Sequence, residues 1–421
     1  MKTAIVLFTR DLRVHDNPAL AAACRAAEEV IPVFVHDPKL NPGRNRARFL
    51  DECLADLRGA LRDRGGDLVE LRGDPVHEVM RLAKEHDAEG IGVAADFSAY
   101  AKGRQRRLAE ACETERVALK VFASLTVVPP GELVPAGGGH YKVFTPYWRA
   151  WQATRWRDVE AAPRHLTLPE GLQFPPCTGK KGETAGRERL AQWVRHLADY
   201  EEGHDDLPGD RTSRLSPYLH LGCLSAREVA ARVEGKEGAE PFVRQLCWRD
   251  FYHQVLNAFP ALRHRAYRAS AEDKWRTDRH ALDAWKEGQT GIPVVDAGMR
   301  QLAREGWMHN RARLVTASYL TKHLHIDWRA GGDHFFELLL DGDVANNYGN
   351  WQWVAGTGND TKPYRRFNPT RQAERFDPDG AYVRRYVPEL AGIEGKAIHE
   401  PWKLPAGVRR KLRYPEPLQL P

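Results

Sequence analysis

The sequence has no C-x-x-C pair: Cys24, Cys53, Cys112, Cys177, Cys223 and Cys247 stand far apart along 421 residues. That spacing argues against a zinc site, a cysteine-ligated iron–sulfur cluster and a disulfide framework, and it points to a reducing compartment. No run of about 18 apolar residues occurs, and the N-terminal AIVLF, too short for a signal-peptide core, is broken by Arg10 and Asp11. A cytoplasmic protein with no membrane span is expected. The first turn, TRDLRVHDNPAL, carries neither G-x-G-x-x-G nor G-x-x-x-x-G-K-[ST], which excludes a standard dinucleotide or phosphate-loop domain. H-E-x-x-H, G-x-S-x-G and a convincing metal cluster are also missing. No metal is therefore expected, and any chemistry would belong to an organic cofactor.

The chain has the make-up of a globular protein, with 42% hydrophobic and 29% charged residues, and its length favours two domains. Its net charge of +6 matters only where the charges cluster. Short β-branched runs at 4–9, 30–36, 68–71, 90–95 and 117–123 alternate with helical segments. This alternation predicts an α/β domain with a doubly wound, Rossmann-like parallel sheet over 1–128, whose carboxyl edge could seat a nucleotide. In ARFLDECLADLRGALRDRGGD, Phe49, Cys53, Leu54, Leu57 and Leu61 recur at helical spacing, and Gly65–Gly66 ends the helix. Residues 129–187 read as a proline- and glycine-rich connector with one short aromatic helix, TPYWRAWQATRW. From 188 to 421 helical periodicity dominates and an all-α domain is expected.

The segment DGDVANNYGNWQW, residues 341–353, packs two carboxylates, four amides and two tryptophans into thirteen residues. Unpartnered burial of such groups costs about 1–3 kcal/mol each, so the segment is not ordinary core. Trp351 and Trp353 stand two apart, so they cannot share a helix face, and each should serve a separate surface. Thr212, Ser213 and Ser216 in GDRTSRLSPYLHLG read either as a helix cap or, with Arg214, as a phosphate cradle. Asn310, Arg311 and Arg313 in GWMHNRARL read as a solvated helix face. Arg365, Arg366, Arg371 and Arg375, interleaved with Tyr364, Phe367 and Phe376, read as a basic surface with stacking groups, suited to nucleic acid. His309 and His253 read as structural.

Taken together, VLFTRDLRVHDNPAL, TSRLSPYLHLG, WRDFYHQVL, GIPVVDAGMRQLAREGWMHNRAR and DGDVANNYGNWQWVAGTGNDTKPYRRFNPTRQAERF resemble the photolyase/cryptochrome family, and within it the bacterial class I cyclobutane pyrimidine dimer photolyases. The resemblance runs from residue 3 to about 390. It implies an N-terminal antenna domain and a helical FAD-binding domain. It also implies light-driven repair, in which reduced FAD passes an electron to a dimer flipped out of UV-damaged DNA. By the same resemblance Asn347 faces flavin N5, while Asp341, paired with Arg313, and Asp343 bind the flavin and ribose side. Tyr200, Thr212, Ser213, Leu215, Ser216 and Arg249 match the FAD phosphate positions. Trp351, Trp328 and Trp275 match an electron chain to the surface. Trp248 and Trp353 clamp the dimer, Asn310 and Arg311 contact it, and Arg366 contributes to DNA binding. A monomer is expected.

Three residues depart from the family pattern: Gln245 replaces a Glu that hydrogen-bonds the lesion, Leu314 a pocket Met, and His204 an Arg near the DNA. Gln retains a donor and Leu is nearly isosteric with Met, so repair is still expected. A cryptochrome photoreceptor is the first alternative. Asn347 disfavours its plant-type form, and the chain ends at Pro421, soon after the last motif, without a long signalling tail. A thermal flavin oxidoreductase lacks a nicotinamide fingerprint here, and a (6-4) photolyase would show a second His where Leu314 stands. FSAYAKGR, 97–104, lacks the Asn-Glu pair of folate-binding members. The antenna could be a reduced folate, 8-hydroxy-5-deazaflavin, a second flavin or none, and the missing pair favours 8-hydroxy-5-deazaflavin over methenyltetrahydrofolate, near Arg46, Phe49 and Asp96.

Overall fold

The computed structural model describes residues 1–40, 42–172, 174, 179–271 and 275–420. Cys177 lies outside the described residues. Contacts divide the chain into two compact units, 1–198 with 213–260, and 199–212 with 261–421. The first unit thus includes the connector and the first helices of the segment expected to be all-α.

In the first unit, strands β1 (Thr3–Phe8), β2 (Glu29–His36), β3 (Val69–Arg72), β4 (Gly90–Ala94) and β5 (Ala118–Phe122) form one parallel sheet in the order β3-β2-β1-β4-β5. The pairing is in register, with Ile5 opposite Ile31 and Ile91. All six residues of β1 are buried because both faces are covered. Ala4, Val6 and Phe8 point into a core shared with helices α1 (Pro18–Ala26) and α2 (Gly43–Arg62). Ile5 and Leu7 point into the opposite core, under α3 (Pro75–Glu85) and α4 (Ala99–Glu115). This is the doubly wound sheet expected from the alternating runs. Leu54, Leu57 and Leu61 of α2 are at most 1% exposed, each worth about 1.5–3 kcal/mol of burial. The helix ends at Arg62, slightly before the glycine pair, and Gly65, at φ +85°, turns the chain back.

The second unit is helical. Its principal helices are Pro293–Glu305, Asn310–Ser318, Trp328–Leu338, Val344–Ala355 and Pro369–Phe376. Among the described residues its strand-like pairing is one isolated bridge, Arg276 with Ile326. The Trp328–Leu338 and Val344–Ala355 helices pack closely because Gly331 has no side chain. A Cβ there would stand 2.2 Å from Trp351 Cη2. No helix among the described residues is long and apolar enough to cross a membrane.

Candidate active site

Most of the polar groups in 341–353 have structural partners. Asp343 caps the Val344–Ala355 helix, accepting from Asn346 N at 2.7 Å and Asn346 Nδ2 at 2.9 Å. Asn350 Nδ2 donates back to Asn346 O at 2.8 Å. Gln352, fully buried, donates to Leu262 O and Arg265 O and accepts from Tyr267 N. Arg313 Nη2 stands 2.9 Å from Asp341 Oδ2, the pairing the resemblance implies, and its Nε donates to Met308 O at 2.8 Å. Asn347 is the exception. Its Nδ2 donates to Gly332 O at 2.9 Å, which aims the side chain, while Oδ1 stays an open acceptor at a half-buried position.

The two tryptophans of this helix face different surroundings. Trp351 is buried, edge-on to Phe335 at 5.0 Å and to Trp285 at 6.0 Å. Trp353 is half-buried, with the Arg365 guanidinium 5.3 Å above its ring. Trp328 is completely buried with no partner for its Nε1. Tyr348, one turn before Trp351, meets Trp328 edge-on at 6.5 Å. Half-buried Trp275 adjoins Arg276, whose N donates to His325 O at 2.8 Å, so the backbone carries it alongside the segment leading into Trp328.

Asn310 is exposed and Leu314 half-buried on the Asn310–Ser318 helix. His309 caps that helix, its Nδ1 accepting from Arg311 N at 3.2 Å, and burial pushes its pKa down to about 4, so the ring is neutral. Arg311 is held by Asp205, Nε to Oδ1 at 3.1 Å and Nη2 to Oδ2 at 2.5 Å, with Phe376 under its guanidinium at 4.2 Å. The expected solvated face is therefore partly neutralised, because a carboxylate 106 positions away in sequence folds against it. His204 Nδ1 donates locally, to Glu201 O at 2.9 Å and Tyr200 O at 3.1 Å. Arg366 is exposed, 3.3 Å from His325 Nε2.

Tyr200 is buried and Thr212 Oγ1 donates to Asp210 Oδ1 at 3.1 Å. In the first unit Ser216 opens a short helix, Ser216–Leu221, whose cap position is Leu215 with no side-chain bond. The serine hydroxyls are thus not consumed in capping it. Ser213 Oγ accepts from Leu215 N at 3.4 Å. Arg249 donates to Leu125 O at 2.6 Å and Leu219 O at 3.3 Å. Gln245 is exposed, and Trp248, one turn on, is half-buried. Phe49 meets Tyr218 edge-on at 5.6 Å, while Asp96 pairs with Arg10, which donates to His220 O, so both residues lead to the Ser216–Leu221 helix. Arg46 is buried on α2. Burial pushes the Asp96 pKa up, but Arg10 and the Ser98 amide outweigh it and hold the carboxyl below its usual range.

Three residues with a part in this arrangement escaped sequence reasoning. Asp205 holds Arg311, Tyr348 adjoins Trp328, and Phe144 stacks flat on Trp248 at 3.6 Å. Each depends on a partner distant in sequence, which periodicity does not encode. Only the aromatic density of TPYWRAW hinted at the last.

Residues 4–166 match the family model described as DNA photolyase, and residues 242–419 the one described as FAD binding domain of DNA photolyase. A deoxyribodipyrimidine photo-lyase of Streptomyces griseus is 51% identical over 439 aligned residues, covering 99% of this chain and 96% of that protein. Among solved structures, a bacterial class III photolyase from Agrobacterium tumefaciens superposes with a TM-score of 0.93 at 35% identity, covering 99% of this chain and 94% of that one. A Synechocystis cryptochrome superposes at 0.92 with 29% identity, covering 99% and 96%. The neighbours thus span a class III photolyase and a cryptochrome, and they do not single out class I.

Proposed function

The chain belongs to the DNA photolyase family, and from that premise we propose that it splits cyclobutane pyrimidine dimers in UV-damaged DNA, using FAD and blue or near-ultraviolet light. The observation that carries this reading is the Val344–Ala355 helix. One element holds an open acceptor at Asn347, a buried indole at Trp351 and a half-buried indole at Trp353. Bound FAD supplies light absorption and the electron that opens the cyclobutane ring. No side chain has to act as general acid or base.

The residues fit such a group. Asn347 Oδ1 is free to accept from a flavin ring N–H, and the bond of its Nδ2 to Gly332 O fixes which way the acceptor faces. Asp341, anchored by Arg313, and Asp343 hold the flavin and ribose side. Tyr200, Thr212, Ser213, Leu215, Ser216 and Arg249 take the phosphates. Trp351, Trp328 and Trp275 return electrons to the cofactor from the surface. Trp248 and Trp353 flank the flipped dimer, with Asn310, Arg311, Leu314 and Arg366 on the DNA side, and Gln245 offers its amide N–H to the lesion where a Glu is usual. Stacking contributes about 1–3 kcal/mol per base, which offsets the few kcal/mol of flipping.

The rival reading is a photoreceptor, favoured by the likeness to a cryptochrome. Identity of 51% to a photo-lyase over nearly the whole chain outweighs the 29% to that cryptochrome. For the antenna we favour 8-hydroxy-5-deazaflavin near Arg46, Phe49 and Asp96. A purified protein whose absorbance is fully explained by FAD after soaking with each candidate chromophore would count against it. The repair reading is tested by DNA binding. Trp353→Ala is expected to weaken binding to dimer-containing DNA by about 1–3 kcal/mol and binding to undamaged DNA far less. Equal loss on both would remove Trp353 from the lesion site.

A further inference from the structure

The first unit contains a row of aromatic rings, separate from Trp351, Trp328 and Trp275, that runs from Trp248 to a surface cavity. Phe144 lies flat on Trp248, centroids 3.6 Å apart and planes within 4°. Trp148 follows, stacked on Phe144 at 6.5 Å, then Trp151 at 5.5 Å, then Trp156 at 4.6 Å. Phe144, Trp148 and Trp151 are buried, whereas Trp248 and Trp156 at the two ends are half-buried. Trp156 opens onto a cavity of about 450 Å³ that Thr126, Glu132 and Arg155 also line.

The row spends four indoles in one place. Core packing needs large apolar side chains but not indoles in sequence, since any ring pair gains only about 0.5–1.5 kcal/mol beyond its area. Indole is the most easily oxidised of the apolar rings, and close rings pass electrons. We propose that this row carries oxidising equivalents from DNA held at Trp248 out to Trp156. The inference rests on the lesion-side placement of Trp248 made above.

The steps balance as single-electron transfers. A one-electron-oxidised guanine in the bound DNA takes an electron from Trp248, which restores the base and leaves an indole radical cation. Electrons then move inward along the row from Trp148, Trp151 and Trp156 in turn, so that the vacancy ends at Trp156. Phe144, far harder to oxidise, bridges Trp248 and Trp148 without itself losing an electron. Trp151 Nε1 donates to Asp250 Oδ2 at 3.0 Å, so its proton can shift to that carboxylate on oxidation and return when Trp156 reduces the ring. Burial holds the Asp250 carboxyl above its usual range, which favours its taking that proton. The Arg227 guanidinium, 5.3 Å over the Trp156 ring, opposes a resting positive charge there. Trp156 Nε1 donates to Trp151 O at 3.3 Å, a carbonyl that cannot take the proton, so the indole keeps it and a solution thiolate returns one electron to the short-lived radical cation at the half-buried ring.

The test uses the FAD-loaded protein on a duplex that carries one dimer beside a guanine, with a ruthenium polypyridyl intercalator and a diffusing quencher to oxidise that guanine by a light flash. In the wild type the guanine radical should vanish faster than in free duplex, and mass spectrometry should find the oxidised residue at Trp156. Phe144→Leu, in protein that binds the duplex as the wild type does, should strand oxidation at Trp248 and restore guanine damage. Trp156→Phe, a change at a half-buried site, should move the product back to Trp151. Oxidation that stops at Trp248 in the wild type, or passes Phe144→Leu undiminished, overturns the row as a conductor. Guanine damage unchanged on tightly bound duplex, with Trp248 unoxidised, overturns it differently, by removing Trp248 from the DNA.

Discussion

Asp205 neutralises one arginine assigned to the DNA and so sets its availability. Its two oxygens take the Arg311 guanidinium at 3.1 and 2.5 Å, and binding a phosphate there means competing with them. Asp205→Asn should raise affinity for dimer-containing DNA by about 1 kcal/mol and steepen the salt dependence by about one unit. Titrations at several salt concentrations read both, and an unchanged slope would mean that Arg311 stays with the protein. His309 gives a pH signature. Its pKa falls from 6.5 to about 4 because burial excludes the charged ring. The unfolded chain thus binds the proton more readily, and the folded state loses stability as pH drops from 6.5 to 4, by on the order of 3 kcal/mol in full. His309→Gln should remove that slope from chemical unfolding curves. Above pH 6.5 the residue contributes no pH dependence to repair.

Among the elements, the approach of the Trp328–Leu338 and Val344–Ala355 helices is decided at Gly331. Adding a Cβ would bring it to 2.2 Å from Trp351 Cη2 and 2.6 Å from Leu320 Cδ2. Trp351 cannot retreat, being wedged against Phe335 and Trp285. Overpacking costs about 1–3 kcal/mol, whereas alanine in a helix regains at most about 1 kcal/mol, so Gly331→Ala should lower the melting temperature and the FAD content. Gly103→Ala on α4, with nothing within 4 Å of a new Cβ, should be neutral or stabilising by up to about 1 kcal/mol. Equal behaviour of the two variants would contradict the close-packing explanation.

Across the whole molecule, what could be read from sequence depended on how local its cause was. The five strands announced themselves as β-branched runs, and their burial on both faces follows from the helices between them. The helix of α2 was legible from its apolar stripe, although Asp63 and Arg64 form a turn before the expected glycines. The different surroundings of Trp351 and Trp353 were legible because two-residue spacing settles helix faces. Long-range pairings were not legible: Asp205 with Arg311, Phe144 with Trp248, and the carbonyls that claim Arg249. Such contacts are set by how elements pack, and nothing in the local pattern specifies them.

Light-dependent repair tests the central claim most directly. The protein would be purified in dim light, its flavin reduced, and thymine absorbance followed in an oligonucleotide carrying one cyclobutane dimer, under blue light and in darkness. Absorbance should recover under blue light and stay flat in darkness, which would also show that Gln245 serves where a Glu is usual. No recovery under light, in protein that holds reduced FAD and binds the oligonucleotide, would contradict repair and leave a cryptochrome-like photoreceptor.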